Sequence, residues 1–278
     1  MRLTRLSIRL PLLIIVLASL SICVMILLLF FTIRSTVLET ETAALANSLK
    51  GYERSIDFYL DEARSVMEIT SQGKRITDYH FGRTSVPVSA SREGYMETDV
   101  RELAQSVLKN SRLFEYLVLL NADGTICIMA PRQLQQKLTR KELAFTSWYK
   151  KLMETGQTIT SDLHISPATQ RPTVVIATPV RSRNGKIAGI WVGGINLDTL
   201  SQIGIPKSLP NALINRYGYI TDSRGLIIAH QGNLQYVKEQ TDFNSVPAIK
   251  AALSGKAGTM QQLCPIEGLE ELIAYTPL

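Results

Sequence analysis

The chain has 278 residues, 45% of them hydrophobic and 19% charged, a composition that excludes a disordered chain and is sufficient for one large core or two small ones. Its formal net charge is +6, but the first 34 residues hold four arginines and no acidic residue, which leaves 26 basic and 24 acidic side chains over residues 35–278. Because that remainder is nearly balanced, the concentrated basic face that nucleic-acid binding requires is excluded.

An apolar segment near the N-terminus, residues 10–33, contains no charged side chain. As a helix it is about 36 Å long, which is enough to cross a bilayer with some tilt. Three arginines lie within residues 1–9, and Arg34 follows the segment closely. The positive-inside rule therefore predicts a cytoplasmic N-terminus at residues 1–9, a transmembrane helix at residues 10–33, and a chain that lies outside the cytoplasm from about residue 34 onward.

A cleaved signal peptide is the alternative to this membrane anchor. The apolar stretch of a signal peptide usually has about 7 to 15 residues and ends at small residues, whereas the apolar run here continues to Ile33. Lipoprotein processing at Cys23 is a second alternative, but Ile22 stands where a small residue is expected. Both observations favour an uncleaved anchor.

A seam of mostly apolar residues follows the anchor, at alternating steps of three and four. This spacing predicts a long amphipathic stalk helix over residues 34–72. The narrow seam fits a helix that packs along its own domain, and in its first turns it also fits contact with a second copy in a homodimer. The two arrangements are compatible. The seam consists of Leu38, Thr42, Leu45, Leu49, Tyr52, Ile56, Tyr59, Ala63, Val66 and Thr70.

Beyond the stalk, the pattern changes from helical to β-rich. Residues 73–94 hold Gly, Pro and Ser without periodicity and predict a loop, and residues 96–113 predict a short helix. Two β-rich runs then flank Asn121 to Gly124, where an Asp-Gly pair supplies the positive φ angles of a tight turn. These runs predict a β-hairpin.

The same hairpin pattern recurs about 101 residues later. Tyr116 matches Tyr217, Asn121 matches Asp222, and Gly124 matches Gly225. Each hairpin is followed by a helical segment and a second predicted hairpin, which turns at Asn184-Gly185 in the first unit and near Gly268 in the second. The sequence therefore predicts an α+β fold with two tandem antiparallel-sheet modules, residues 73–200 and 201–278, each with helices on one side of its sheet.

No catalytic or metal-binding motif is found along the chain. The three histidines, His80, His164 and His230, have no spacing to a second nitrogen or carboxylate ligand, and neither a nucleophile elbow nor a phosphate loop is present. Cys127 and Cys264 fall in different predicted strands, so two free thiols and one extracytoplasmic disulfide are both open. The sequence predicts no cofactor, no metal and no enzymatic activity; a tethered enzyme is the least favoured alternative.

The anchor, the stalk and the two tandem units together resemble the double Cache (dCache) sensor family, whose modules are PAS-like and lie outside the bacterial inner membrane. The resemblance covers nearly the whole chain after Arg34. It is most specific in "SWYKKLMETGQTITSDLHISPATQRPTVVIATPV", which looks like the membrane-distal module, whereas "GLIIAH" and "VPAIKAALSGKAGT" look like the membrane-proximal one. The resemblance implies that the distal module binds a small ligand and the proximal one transmits the signal to the membrane.

The amino-acid-binding branch of this family has an Arg two residues before its Trp-Tyr pair, a Tyr and an Asp flanking one residue in the next strand, and an Asp in the last strand. Trp148 and Tyr149 are kept here. The four other positions hold uncharged or weakly basic residues, so the charged groups that would hold a free α-amino acid are missing. The resemblance implies a site at all six positions, for another small organic ligand: Thr146, Trp148, Tyr149, His164, Ser166 and Gly194.

Local patterns offer structural alternatives for these residues. Trp148 and Tyr149 are adjacent, so on a helix they point about 100° apart, and one core ring beside one boundary ring is the alternative to a shared pocket. His164 alternates with Leu163 and Ile165, so solvent exposure is the alternative to ligand contact. If His164 does line a pocket, its protonation near pH 6 to 7 would make ligand affinity depend on pH.

These observations predict the anchor and sensing region of a transmembrane signalling receptor, most like a methyl-accepting chemotaxis receptor. The chain ends inside a predicted strand, at "AYTPL", so we expect a truncation before a second membrane helix and an output domain. A histidine kinase or a diguanylate cyclase with the same outer region is an alternative. A membrane-tethered binding module without an output domain is another.

Overall fold

The computed structural model describes residues 3–79, 81, 93–138, 140–167, 169–203 and 217–277. The helices are α1 Leu3–Ser71, α2 Lys74–Thr77, α3 Glu93–Ser111, α4 Arg132–Gln136, α5 Ser147–Thr155, α6 Leu197–Gln202, α7 Leu234–Lys238 and α8 Pro247–Leu253. The strands are β1 Phe114–Asn121, β2 Ile126–Ala130, β3 Ile159–Thr160, β4 His164–Ile165, β5 Pro172–Thr173, β6 Val175–Arg181, β7 Ile187–Ile195, β8 Tyr219–Thr221, β9 Ile227–His230, β10 Gly258–Leu263 and β11 Glu270–Tyr275. The α+β fold class is thus confirmed.

Helix α1 joins the predicted membrane segment and the predicted stalk without a break. From Val16 onward it is long and apolar enough to cross a membrane by length and composition, and its apolar stretch packs against no other part of the described protein. Nearer its C-terminal end, one face is buried against β6 and β7 and against β10 and β11. The buried residues follow the predicted seam: Tyr52, Ile56, Tyr59, Ala63 and Met67.

The predicted loop at residues 73–94 contains helical residues at both of its ends. Helix α2 lies at its start, and α3 begins at Glu93, three residues before the predicted helix. Residue 80 and residues 82–92, which include His80, lie outside the described residues. Two buried residues of α3, Val100 and Ala104, explain why a helix forms there: they give it an apolar face against the core.

The first module contains one five-stranded antiparallel sheet with the order β2-β1-β7-β6-β3. Alternate residues of its strands point to opposite faces. One face packs on α1, where Trp191 donates from Nε1 to Thr70 Oγ1 at 2.9 Å, and Gly193 leaves room for the ring of Phe114. The opposite face is covered by α5 and holds a separate apolar cluster that includes Val118, Trp148 and Val192. This second face carries the candidate site.

The second module repeats the first down to single hydrogen bonds. Leu143 N donates to Gly124 O at 2.9 Å, and Phe243 N donates to Gly225 O at 2.9 Å. Isolated bridges also match, Thr125 with Glu142 and Leu226 with Asp242. The predicted tandem repeat is therefore confirmed.

The sheet of the second module differs from the expected one. Its strands form two separate two-stranded antiparallel ribbons, β8-β9 and β10-β11, over the residues that the structure describes. Strand β8 has only three residues, so it offers few backbone groups for a ladder with β11. A side-chain hydrogen bond connects the two ribbons instead: the hydroxyl of Tyr217, just before β8, donates to Oε2 of Glu267, in the β10–β11 turn, at 2.7 Å. Cys127 and Cys264 form no disulfide.

Candidate ligand-binding cavity

A small cavity lies between the second face of the first sheet, the start of α5 and the segment around β4. Its volume is about 20 Å³, which is room for about one water molecule. Its lining residues are Tyr116, Val118, Ile126, Met129, Leu138, Leu143, Thr146, Trp148, His164, Ser166, Pro167, Val175 and Val192. Four of the six predicted site residues therefore meet at one cavity: Thr146, Trp148, His164 and Ser166.

Thr146 sets the position of Trp148. It is the N-cap of α5: its Oγ1 accepts from Tyr149 N at 3.4 Å and donates to Leu143 O at 2.8 Å. The helix thereby starts with Trp148 turned inward, where its side chain is only 4% exposed. Trp148 Nε1 is buried, and no hydrogen-bond partner for it is found in the described part of the chain. A buried unpaired N–H is costly, so this group is ready for an acceptor.

Tyr149 points elsewhere. It is absent from the cavity lining, and its hydroxyl donates to Ala122 O, in the β1–β2 turn, at 2.6 Å. Burial, and then the charge of Asp123, raise the pKa of Tyr149, so the hydroxyl keeps its proton. Tyr149 therefore connects α5 to the β1–β2 turn, whereas Trp148 faces the cavity. The two side chains point in different directions because neighbouring residues of a helix are rotated by about 100°.

His164 and Ser166 form the wall opposite the helix. His164 Nδ1 lies 3.1 Å from Asp162 O, and because a carbonyl can only accept, Nδ1 carries the proton. Burial lowers the pKa of His164, and the nearby charge of Arg224 acts in the same direction. The imidazole is therefore neutral at neutral pH and has Nε2 as an acceptor. Ser166 is buried, and its Oγ accepts from Thr169 N at 3.3 Å.

Gly194 shapes the cavity through Tyr116. A Cβ built on Gly194 would stand 2.4 Å from two carbons of the Tyr116 ring, so glycine is what lets that ring lie flat on the strand. The Tyr116 hydroxyl bonds to the side chains of Ser166 and Thr173, and burial raises its pKa. Tyr116 thus occupies the space that a side chain at position 194 would need.

The cavity wall is largely apolar and uncharged. Its described lining residues include no Lys, Arg, Asp or Glu. The side-chain groups of the lining that can form directional hydrogen bonds are the hydroxyls, the Trp148 N–H and the His164 imidazole. Such a wall suits a neutral, partly apolar ligand that offers one acceptor and one donor. Across the described ranges, no group of three or more His, Cys, Asp or Glu side chains is placed to hold a metal ion.

A larger and more open groove of about 520 Å³ lies between α1 and β6. It is lined by charged and polar residues, among them Arg64, Glu68 and Arg181. Arg181 is already engaged, because its guanidinium donates to Gly156 O at 2.6 Å and to Gly185 O at 2.9 Å. The smaller cavity is the better candidate, since it is the place where the predicted site residues converge.

Several lining residues were not among the predicted site residues. Tyr116, Val118, Val175 and Val192 come from three neighbouring strands of one sheet face. A signal for them exists in the sequence, because residues at steps of two along each strand share a face. Which face bears the cavity depends on α1 and α5, which cover opposite sides of the sheet.

The chain belongs to the double Cache family, because the family model described as a Cache domain (dCache_1) matches residues 32–278. No curated protein matches the chain. Solved structures share its fold at low identity, as shown by three examples.

The ligand-binding domain of the amino acid chemoreceptor PctB of Pseudomonas aeruginosa PAO1, in complex with L-Gln, is 18% identical with a TM-score of 0.57, over 84% of this chain and 83% of that one. A domain of a sensory box/GGDEF family protein from Vibrio parahaemolyticus is 16% identical with a TM-score of 0.63, over 86% and 90%. The extracellular domain of the histidine kinase vpHK1S-Z8 is 17% identical with a TM-score of 0.61, over 86% and 89%.

Proposed function

We propose that the cavity of the first module binds a small, neutral organic ligand. The observation that carries this proposal is the pairing of an uncharged, largely apolar wall with the buried Trp148 Nε1, for which no hydrogen-bond partner is found among the described residues, and with the neutral His164 imidazole on the same wall. PctB binds L-Gln, but the cavity here offers no carboxylate or guanidinium for the two charges of an α-amino acid.

Binding requires a wall of this cavity to move. The space of about 20 Å³ holds one water-sized body, so an organic ligand has to displace α5 or the segment around β4. A ligand shifts such an equilibrium only by its difference in affinity between the two states. The ligand is therefore expected to favour an open form of the first module over the closed one.

We further propose that the chain is the extracytoplasmic sensing region of a transmembrane signalling receptor, of which a chemotaxis receptor is the leading candidate. Support comes from the single helix α1, which extends from an apolar membrane-length stretch into both modules. Residues 73–200 would be the distal module and residues 201–278 the proximal one. Helix α1 would anchor the protein in the bacterial inner membrane, and both modules would lie outside the cytoplasm. Histidine kinases and GGDEF proteins remain candidates, since their domains share this fold.

A thermal-shift screen of the purified chain in detergent tests the ligand proposal. A ligand that binds only the folded state at 100 times its Kd adds about 2.7 kcal/mol to the free energy of unfolding, so it raises the melting temperature. Neutral compounds with one donor and one acceptor are expected to give the largest shifts, compared with organic acids, amines, purines and amino acids. If amino acids alone shift the transition, the argument from the missing charged groups is wrong.

The chain offers a matched pair of variants for locating the site. Trp148→Phe keeps an aromatic side chain but replaces the indole with a smaller phenyl ring that has no N–H, and we expect it to weaken binding of the best hit by about two- to tenfold. Trp191→Phe removes the other indole, which lies on the opposite face of the sheet and bonds to Thr70, and should leave the affinity unchanged. Isothermal titration calorimetry of the best hit against both variants measures the two affinities. Equal affinities would move the site away from Trp148.

A further inference from the structure

One segment of the first module contacts the second module on its way to the cavity. Residues 161–166 leave the sheet at Ser161, whose N–H donates to Val175 O and whose Oγ accepts from Val175 N, both at 2.9 Å. Two residues on, Leu163 N donates to Asp222 Oδ2 at 3.3 Å, and Ser223 Oγ donates to Asp162 Oδ1 at 2.8 Å. The partners from the second module all lie in the β8–β9 turn.

Asp222 and Arg224 hold both peptide groups of Leu163. Asp222 accepts the Leu163 N–H, and the Arg224 guanidinium donates to the Leu163 carbonyl. The two side chains are joined by an ion pair at 2.7 Å, in which the Asp222 side chain is 3% exposed. The Asp222 carboxylate also accepts from the backbone N–H groups of Arg224 and Leu226, at 2.9 and 3.0 Å. This arrangement is a clamp in which the Asp222 carboxylate is buried, whereas the Arg224 side chain is 54% exposed.

The clamp acts directly beside the cavity. Leu163 is 2% exposed within the core that contains residues of both modules, so it cannot shift without disturbing its neighbours. The next residue is His164, which lines the cavity and is held through Nδ1 by Asp162 O. Both residues before His164 are therefore fixed from the second module.

The repeat shows that a turn of this type does not require the clamp. The positions of Asp222, Ser223 and Arg224 match Asn121, Ala122 and Asp123 in the β1–β2 turn. There, Asp123 Oδ1 accepts from Thr125 N at 2.8 Å, and the turn closes without an arginine. The arginine is thus specific to the turn that meets the cavity segment.

We propose that Asp222 and Arg224 are positioning residues for the ligand cavity: they hold Leu163 and thereby His164, so that the cavity wall and the β8–β9 hairpin move together. This proposal rests on the proposed ligand site and adds how its occupancy reaches the second module. Because coupling between two sites is reciprocal, a change in the hairpin alters the cavity just as a ligand in the cavity alters the hairpin.

The test removes the clamp in the full-length chain and follows the cavity without any ligand. Arg224→Met keeps the length of the stem and removes the guanidinium. We expect hydrogen exchange of residues 161–166 to become about tenfold faster or more, while β1 and β7 stay protected. In a Trp191→Phe background, acrylamide should quench Trp148 fluorescence more strongly. The matched control is Arg183→Met, at an exposed arginine in the β6–β7 turn, which should change neither readout.

Two further variants keep the test decisive if Arg224→Met folds poorly. Arg224→Lys retains a charge but offers a single ammonium for two partners, so it should restore part of the slow exchange. Ser223→Ala removes only the bond to Asp162 and should speed exchange in the same segment to a smaller degree. Exchange that rises only at residues 222–226, with Trp148 quenching as in the parent, would overturn the proposal. Because no ligand is used, an empty ligand screen does not affect this result.

Discussion

At the scale of single residues, Gly194 and Tyr116 compete for one volume. A methyl group at position 194 would meet two carbons of the Tyr116 ring at 2.4 Å, closer than any carbon contact allows. We expect Gly194→Ala to lower the free energy of unfolding by roughly 1–3 kcal/mol, because the buried ring has to leave its place. Chemical denaturation measures this change.

A double-variant cycle separates this clash from a general cost of replacing glycine. Tyr116→Ala creates a cavity, and in its presence Gly194→Ala should cost clearly less than it does alone, since the two residues are in contact. Gly51→Ala is the control, because a Cβ at that exposed position of α1 meets nothing within 4 Å. It should be neutral or slightly stabilising. Strictly additive costs for positions 116 and 194 would show that the ring does not set the residue at 194.

At the scale of elements, the β8–β9 hairpin carries a buried histidine where the first module has Met129. His230 Nδ1 accepts from Gly232 N at 3.1 Å and Asn233 N at 2.8 Å, so this nitrogen is unprotonated. Burial lowers the pKa of His230, although Glu267 opposes that shift. The unfolded chain then binds a proton at higher pH than the folded one does. Stability should therefore fall as the pH drops below about 6.5 toward the lowered pKa of the folded state.

His230→Met tests this dependence, because methionine is the residue of the matched position in the first module. The fall in melting temperature between pH 7.5 and pH 5 should be smaller in the variant than in the parent. His164, whose pKa is also lowered by burial, contributes in the same direction and should leave a residual fall. Identical pH profiles for variant and parent would mean that His230 does not titrate on unfolding in this range.

The elements differ in how far the sequence predicts them. The four hairpins that the sequence predicts follow from turn chemistry, and their turn glycines Gly124, Gly185, Gly225 and Gly268 have φ of 84°, 80°, 86° and 68°. Thr146, Trp148, His164 and Ser166, identified from the motif, lie along one cavity. The contact of Leu163 with Asp222 spans 59 positions, and no local pattern encodes it. It depends on how the two modules pack.

At the scale of the whole molecule, α1 has two different faces where it passes the modules. One face is buried against both modules. On the other side, Phe58 is 71% exposed and Ile69 is 72% exposed. These two residues are 11 positions apart, so they lie within about 20° of each other around the helix and about 16 Å apart along it. Singly exposed apolar residues are common, but these two share one face of α1, so that face offers two apolar contacts to a second copy.

We expect this face to form the contact in the homodimer that the stalk pattern suggests. The experiment uses the full-length chain in membranes, with Cys23, Cys127 and Cys264 replaced by serine or alanine. Phe58→Cys should then form a disulfide-linked dimer under mild oxidation, whereas Asp57→Cys, rotated by about 100°, should stay monomeric on a non-reducing gel. Leu45→Cys reports on the predicted seam, which lies on the same side of α1 as its buried residues. Cross-linking at Leu45 without cross-linking at Phe58 would place the contact on the seam, and no cross-link at either position would contradict a dimer through α1.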